Sequence, residues 1–198
     1  MAKILLSTHE LCLERGGRQL VHKLNLEVAA GELVLVEGAN GAGKTTLLRS
    51  LAGLSTIGLS GDIQRHSDQL LFLGHKAGVK QLLTARENLA WYCDSHRVPH
   101  EGIDAALEQV GLYGYEAVLC QHMSAGQQRR VNLARLYLSR DDLWLLDEPF
   151  TAIDKEGVKA LTQTLVARVQ AGAAVIMASH QDLPLDYPLR RLQLGESP

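Results

Sequence analysis

The chain has 198 residues, 46% of them hydrophobic and 21% charged, with a formal net charge of −2. That length carries one sizeable core with room for a small inserted subdomain, and the mild acidity and lack of a long basic run argue against nucleic acid as a partner. Three cysteines, Cys12, Cys93 and Cys120, without C-x-x-C spacing argue against a disulfide framework or a zinc site and read as reduced, packed thiols.

The opening Met1-Ala2-Lys3-Ile4-Leu5-Leu6-Ser7 turns polar at His9 and Glu10, which makes a poor secretion signal. Residues 5–13 and 24–28 read as strands around the turn Arg15-Gly16-Gly17-Arg18. A second turn, Ala29-Ala30-Gly31-Glu32, leads into a short apolar strand at 33–36 that fits a buried position. A glycine-rich loop follows, then a helix over about 44–52 ended by Gly53. Residues 58–61 read as a turn and 70–73 as another short strand.

From Thr84 the pattern becomes helical, with a capping box at Thr84-Ala85-Arg86-Glu87, and no convincing strand returns before about residue 140. The core resumes with a strand at 143–146, a helix over 155–170 ended by Gly172, and a buried strand at 174–178; the final residues, 195–198, are expected to fray. The longest strongly apolar stretch, 171–178, falls well short of the roughly 20 residues that span a bilayer. The chain is therefore expected in the cytoplasm, meeting any membrane through a partner. Alternation of strand and helix on both sides of the helical stretch predicts an α/β fold. Its mainly parallel core has an N-terminal antiparallel portion and one insertion. The organisation is a single domain, 1–198, with core 1–83 and 139–198 and a helical subdomain at about 84–138.

Gly38-Ala39-Asn40-Gly41-Ala42-Gly43-Lys44-Thr45 matches the Walker A pattern G-x-x-x-x-G-K-[ST], between a predicted buried strand and a predicted helix. The glycines let backbone N–H groups turn inward around a phosphate, and the helix start adds a positive dipole end. Lys44 is placed for the β- and γ-phosphates and the Thr45 hydroxyl for Mg²⁺. The strand at 143–146 ends in Asp147-Glu148, two carboxylates at the end of a strand where α/β sheets bind ligands. Asp147 is placed to hold Mg²⁺ through a water, and Glu148 to orient and polarise the attacking water. Alone such a pair is an ordinary solvated strand end; after a phosphate loop it points to nucleotide hydrolysis.

Ser124-Ala125-Gly126-Gln127-Gln128 resembles the signature of ATP-binding-cassette (ABC) ATPases, usually L-S-G-G-Q, with Met123 in place of leucine and Ala125 in place of the first glycine. Arg129-Arg130-Val131-Asn132-Leu133-Ala134-Arg135 resembles its continuation. Ser124 and the backbone at Gly126 open a helix whose positive end can grip a phosphate, although Ser124 would serve a plain N-capped surface helix equally well. Phe150-Thr151-Ala152-Ile153-Asp154 resembles the family's D-loop, and His180 follows the strand at 174–178 where the family carries its switch histidine.

The resemblance covers essentially the whole chain. It implies a P-loop NTPase of ABC type using ATP and Mg²⁺, with Lys44, Glu148 and His180 catalytic and Thr45 and Asp147 at the metal. Gly38, Ala39, Asn40, Gly41, Ala42, Gly43, Lys44, Thr45 and Thr46 would bind nucleotide, together with Ser124, Gly126, Gln127 and Asp154. In this family the signature grips nucleotide bound by a facing subunit, so the active unit is a homodimer.

Two positions depart from the family pattern. The first turn lacks the aromatic residue that stacks on adenine, which makes Arg15 the candidate through its planar guanidinium. Where a glutamine usually follows the strand at 70–73, this chain has Leu73-Gly74-His75-Lys76, leaving His75 and Lys76 as alternatives. Met123-Ser124-Ala125-Gly126-Gln127-Gln128-Arg129-Arg130 and Asp147-Glu148-Pro149-Phe150-Thr151-Ala152-Ile153-Asp154 resemble the ATP-binding subunits of cytochrome c maturation systems, as do Leu73-Gly74-His75 and Leu83-Thr84-Ala85-Arg86-Glu87-Asn88-Leu89. That resemblance implies a peripheral subunit on the cytoplasmic face of a bacterial inner membrane, driving integral membrane subunits in haem export or release of holo-haem chaperone. In such complexes a short helix of the membrane subunit docks near the segment after His75 and the helix from Thr84, so Val79, Leu82, Leu83, Trp91 and Tyr92 become candidates. Leu89 and Tyr92 share a helix face and Trp91 sits off it, so one set packs inward and the other faces the partner. The eight histidines are scattered and no C-x-x-C-H occurs, so direct haem binding by this subunit is not expected. The alternatives are an exporter subunit for another substrate, a soluble ABC ATPase outside transport, and a module that senses ATP without hydrolysing it.

Overall fold

The computed structural model describes residues 2–151, 153–180 and 186–195; position 152 and the last three residues of the tail lie outside them. Among the described residues the strands form two sheets. The first is antiparallel: β1 (Ile4–Arg15) and β2 (Arg18–Ala29) make a long hairpin around Gly16-Gly17, and β4 (Leu59–Arg65) pairs with the other edge of β1. The second is parallel, in the order β5-β6-β7-β3-β8. Its members are β3 (Leu33–Glu37), β5 (Leu70–Leu73), β6 (Leu143–Asp147), β7 (Ala174–Ala178) and β8 (Leu189–Gln193). Three of its apolar runs, β6, β7 and β3, occupy the middle of this sheet, and β6 and β7 are buried at every residue, as strands covered on both faces must be.

The chain is compact in two units. The first comprises Met1–Gly74, Asp141–Pro149 and Leu165–Pro198, and holds both sheets and α1 (Lys44–Leu51). Its core joins Leu5, Leu11 and Leu13 of the hairpin to Leu47, Leu48 and Leu51 of α1 and to Val34, Leu145 and Ile176 of the parallel sheet. Helix α1 ends where expected. Gly53 N donates to Ser50 O and Leu54 N to Arg49 O, the paired bonds of a Schellman cap.

The second unit comprises His75–Arg140 and Phe150–Thr164, with α2 (Ala85–His96), α3 (Ile103–Gln109), α4 (Ala125–Leu138) and the first part of α5 (Lys155–Gln170). The capping box at Thr84 forms in full: Glu87 N donates to Thr84 Oγ1, and Thr84 N donates to the Glu87 carboxylate. Asn88, 1% exposed, accepts from Lys80 N at 2.7 Å and donates to Lys80 O and Thr84 O, fastening the incoming loop to α2.

Besides β2, which begins at Arg18 and not near residue 24, two strands differ from the sequence expectation. Residues 58–61, expected as a turn, run into β4. That strand is almost entirely exposed and polar, so it lacks a hydrophobic period and owes its conformation to the ladder with β1. Gly61 there has φ +83, and a Cβ on it would come 2.3 Å from Glu10 O, so the close approach of the two strands requires glycine. The edge strand β8 escaped notice for a similar reason: Arg190 and Arg191 interrupt its apolar pattern.

Candidate active site

Neighbouring strands deliver the chemistry to the carboxyl end of the parallel sheet. In β6, β7 and β3, adjacent in that order, Asp147, Ala178 and Val36 stand in register across the sheet. The chain beyond those residues carries Glu148 after β6, Ser179 and His180 after β7, and the glycine loop after β3, which ends at Glu37. With strands about 4.8 Å apart, groups far apart in sequence converge at the carboxyl end of the sheet, where α/β folds bind ligands.

In the glycine loop Gly43 caps α1 with φ 103 and offers no side-chain cap, leaving the first-turn N–H groups without acceptors inside the helix. This is the start expected of a helix that binds phosphate through its backbone. Lys44 is 8% exposed, and its Nζ donates to Gly38 O at 2.6 Å and Ala39 O at 3.2 Å, so the ammonium is held against the loop. Its charge adds to that of the helix end in a largely dry site, where each is less screened than in water.

Thr45 Oγ1 donates to the Asp147 carboxylate at 2.9 and 3.1 Å, joining residues 102 apart in sequence. The hydroxyl proton thus points at the carboxylate and the lone pairs point away from it. A neutral oxygen ligand oriented by an outer carboxylate has this arrangement. Among the described residues no three His, Cys, Asp or Glu side chains could hold a metal by themselves. The pair fits Mg²⁺, which takes one or two protein oxygens and completes its shell with phosphates and water.

Glu148 has φ 52, a left-handed conformation uncommon for a side chain of its kind. Its N–H is tied to Ala178 O at 3.0 Å, so the turn is anchored to the end of β7. Its carboxylate, 18% exposed, lies 3.5 Å from His180 Nε2. A partly sheltered carboxylate beside an imidazole, next to a phosphate loop, can accept a proton from water while the histidine holds a neighbouring oxygen.

Ser124, Gly126, Gln127 and Asp154 belong to the second unit. Ser124 caps α4 with a full capping box: Gln127 N donates to Ser124 Oγ, and Ser124 N donates to Gln127 Oε1. Asp154 Oδ1 accepts from Gly157 N in the first turn of α5. Both residues therefore do the capping that their types favour. Gly126 and Asp154 also line one cavity of about 490 Å³, together with Arg130 and Tyr137.

Residues 21–151 match the family model described as ABC transporter. The cytochrome c biogenesis ATP-binding export protein CcmA of Pseudomonas putida is 48% identical over 200 residues, covering 94% of each chain. The protein of the same name from Vibrio cholerae is 46% identical, covering 97% of this chain and 99% of its own. The chain belongs to the ABC transporter family.

Within that family it groups with the cytochrome c biogenesis ATP-binding export proteins, and it is an ABC-type ATPase. Solved structures carry the same fold. A putative ABC transporter ATP-binding protein from Pyrococcus furiosus superposes with a TM-score of 0.79 at 23% identity, over 96% of both chains. An ATP-binding cassette in a dimeric, post-hydrolysis state bound to ADP and Pi gives a TM-score of 0.77 at 21% identity, covering 89% of this chain and 88% of that one.

For this ABC chain, the structure brings Lys44, Thr45, Asp147, Glu148 and His180 to the carboxyl end of the parallel sheet. Arg15 lies exposed at the end of β1, paired in the ladder with Arg18. Sequence reasoning passed over Leu20. A Cβ on Gly43 would stand 2.9 Å from Leu20 Cβ, so this side chain of the hairpin seats directly on the phosphate loop. Arg15→Ala should weaken ATP binding by about 1 kcal/mol, the scale of a cation–π or stacking contact, and Arg15→Tyr should restore it. Calorimetric titration with ATP checks both, and unchanged affinity in the alanine variant removes Arg15 from the site.

Proposed function

We propose that this chain is the ATP-hydrolysing subunit of an inner-membrane ABC complex serving cytochrome c biogenesis, driving haem export or release of holo-haem chaperone. The supporting observation is near-half identity along almost the full length of proteins named for that task. In this reading ATP lies with its phosphates on residues 38–46, its adenine against Arg15 and its γ-phosphate against Ser124, Gly126 and Gln127 of a second copy. The solved dimeric relative bound to ADP and Pi supports a homodimer as the active unit. Mg²⁺, held through Thr45 and Asp147, offsets charge on the β- and γ-phosphates when bound.

Glu148 orients a water in line with the γ-phosphorus and takes its proton, as the bond from that phosphorus to the β–γ bridging oxygen breaks to leave ADP and phosphate. His180 hydrogen-bonds the γ-phosphate beside Glu148. Asp154 meets the nucleotide site from the partner copy. Among the described residues no helix is long and apolar enough to cross a membrane. The chain sits on the cytoplasmic face, bound to integral membrane subunits that handle haem.

The proposed partner surface is one part of the second unit that leaves apolar side chains outside. Leu89 and Tyr92 are buried at 0% and 2%, whereas Trp91 is 51% and Leu82 77% exposed. Lys80 Nζ lies 4.3 Å above the Trp91 ring. Trp91→Ala and Val79→Asp should leave the isolated subunit folded and able to bind ATP, yet lower recovery of the membrane subunits at least about tenfold, the scale of a hot-spot residue. Co-purification from solubilised membranes checks this. Recovery at the unmodified level by both variants sinks the assignment, and unfolding of the isolated subunit returns these residues to the core.

A further inference from the structure

Glu37 is an acid where negative charge works against the site. It is the last residue of β3 and stands immediately before Gly38, the first residue of the phosphate loop. A carboxylate there repels the anion that the loop takes in, and the backbone is fixed so that the two cannot draw apart. Leu194 N donates to Glu37 O at 2.8 Å. A Cβ on Gly38, whose φ is +147, would stand 2.7 Å from Leu194 O, and one on Gly195 would stand 3.4 Å from Ala42 Cβ. Leu194 and Ala42 are 6% and 7% exposed. The end of β8 therefore seats the loop at Gly38 and again at Ala42.

The same strand supplies the opposite charge. β3 and β8 run parallel, with Leu35 opposite Arg191 and Glu37 opposite Gln193. Alternation along the strands puts Leu35, Glu37 and Arg191 on one face of the sheet. Val34 and Val36 point the other way, into the core they share with Leu47 and Leu48 of α1. Arg191 Nη1 donates to the Glu37 carboxylate. The side chains are 57% and 28% exposed, and a pair this open to water contributes little to stability. Its place is what counts: one residue from the loop, its charge acts well inside the Debye length, about 30 Å at 0.01 M salt.

We propose that Arg191 and Glu37 set the charge felt at the phosphate loop, Arg191 cancelling a carboxylate that would otherwise repel ATP. This rests on the reading that residues 38–46 bind the phosphates. Both are positioning residues, held against the loop by the seat at Leu194 and Gly195, and neither touches nucleotide. The other charges of the site, Lys44, Asp147, Glu148 and His180, are untouched by changes at the pair.

Titration of the full chain with a fluorescent ATP analogue and Mg²⁺ tests this in four proteins: parent, Arg191→Met, Glu37→Gln and the double variant. At about 0.01 M ionic strength Arg191→Met should raise Kd about threefold to tenfold. Glu37→Gln leaves the arginine charge in excess and should bind as tightly as the parent or more tightly. The double variant should return to within about twofold of the parent, and Arg191→Lys should match it. At about 1 M salt, where the Debye length is about 3 Å, all should fall within about twofold of one another. A bond that merely stiffened the fold would make both single variants bind worse, at either salt concentration. Both side chains are partly exposed, and a thermal scan confirms that each variant is folded. Parent affinity in Arg191→Met at low salt, weakened binding in Glu37→Gln, or a double variant as weak as Arg191→Met overturns the inference alone. A parent that binds ATP no better than Lys44→Ala overturns the phosphate-loop reading and this inference together.

Discussion

Glu148→Gln should lower steady-state ATP turnover by about 10²–10⁴-fold, the range contributed by a positioned general base, with ATP affinity nearly unchanged. The reason lies in how the side chain is held. The left-handed backbone at φ 52 and the bond from Glu148 N to Ala178 O fix where it leaves the sheet. His180 Nε2, 3.5 Å away, fixes what it faces. Glutamine keeps the shape and loses the basic oxygen. With ATP bound and not consumed, the variant should also accumulate as a closed dimer. Phosphate release measures the first effect, and gel filtration with and without ATP measures the second. Turnover near the parent level would remove Glu148 from the chemistry. A dimer indifferent to ATP would separate the catalytic role from the assembly that the family implies.

Lys44→Ala should fail at the earlier step. A charge-assisted hydrogen bond to phosphate in a sheltered site contributes about 3 kcal/mol, so Kd for ATP should rise about 10²-fold. Lys44 also donates to Gly38 O and Ala39 O. Its loss leaves those carbonyls without that donor and should lower the melting temperature by a few degrees. Titration with a fluorescent ATP analogue, read beside a thermal scan, distinguishes lost affinity from lost fold. Tight binding in a folded Lys44→Ala protein would show that the backbone N–H groups hold the phosphates unaided. The two variants should differ in kind: Glu148→Gln binds and stalls, whereas Lys44→Ala scarcely binds.

The phosphate loop was legible because its chemistry is local. Backbone N–H groups that converge on one anion must come from consecutive residues, so glycines, lysine and threonine appear at fixed spacing from 38 to 45. The buried strands were legible for a related reason: a strand covered on both faces is apolar along its length, as in residues 143–146 of β6 and in β7. The helix start at Thr84 declared itself through side chains that satisfy nearby backbone groups, and the helix end at Gly53 through a glycine that takes the left-handed turn of the cap. These features depend on contacts a few residues long, which a linear string records directly.

What the string withheld depends on pairing across long separations. The order β6-β7-β3 decides that Thr45 meets Asp147 across 102 positions and that Glu148 and His180 face one another. Strands β4 and β8 lie at sheet edges and are polar or interrupted by arginine, so their conformation comes from a ladder partner and leaves no hydrophobic period to read. Leu20 gains its place on Gly43 only when the hairpin folds over the loop. The seat of the phosphate loop on Leu194 and Gly195, and the bond between Arg191 and Glu37, 154 positions apart, likewise need β8 beside β3. A carbonyl is the same in every residue, so nothing at Leu194 announces that its oxygen will meet Gly38. The tertiary structure alone decides such contacts.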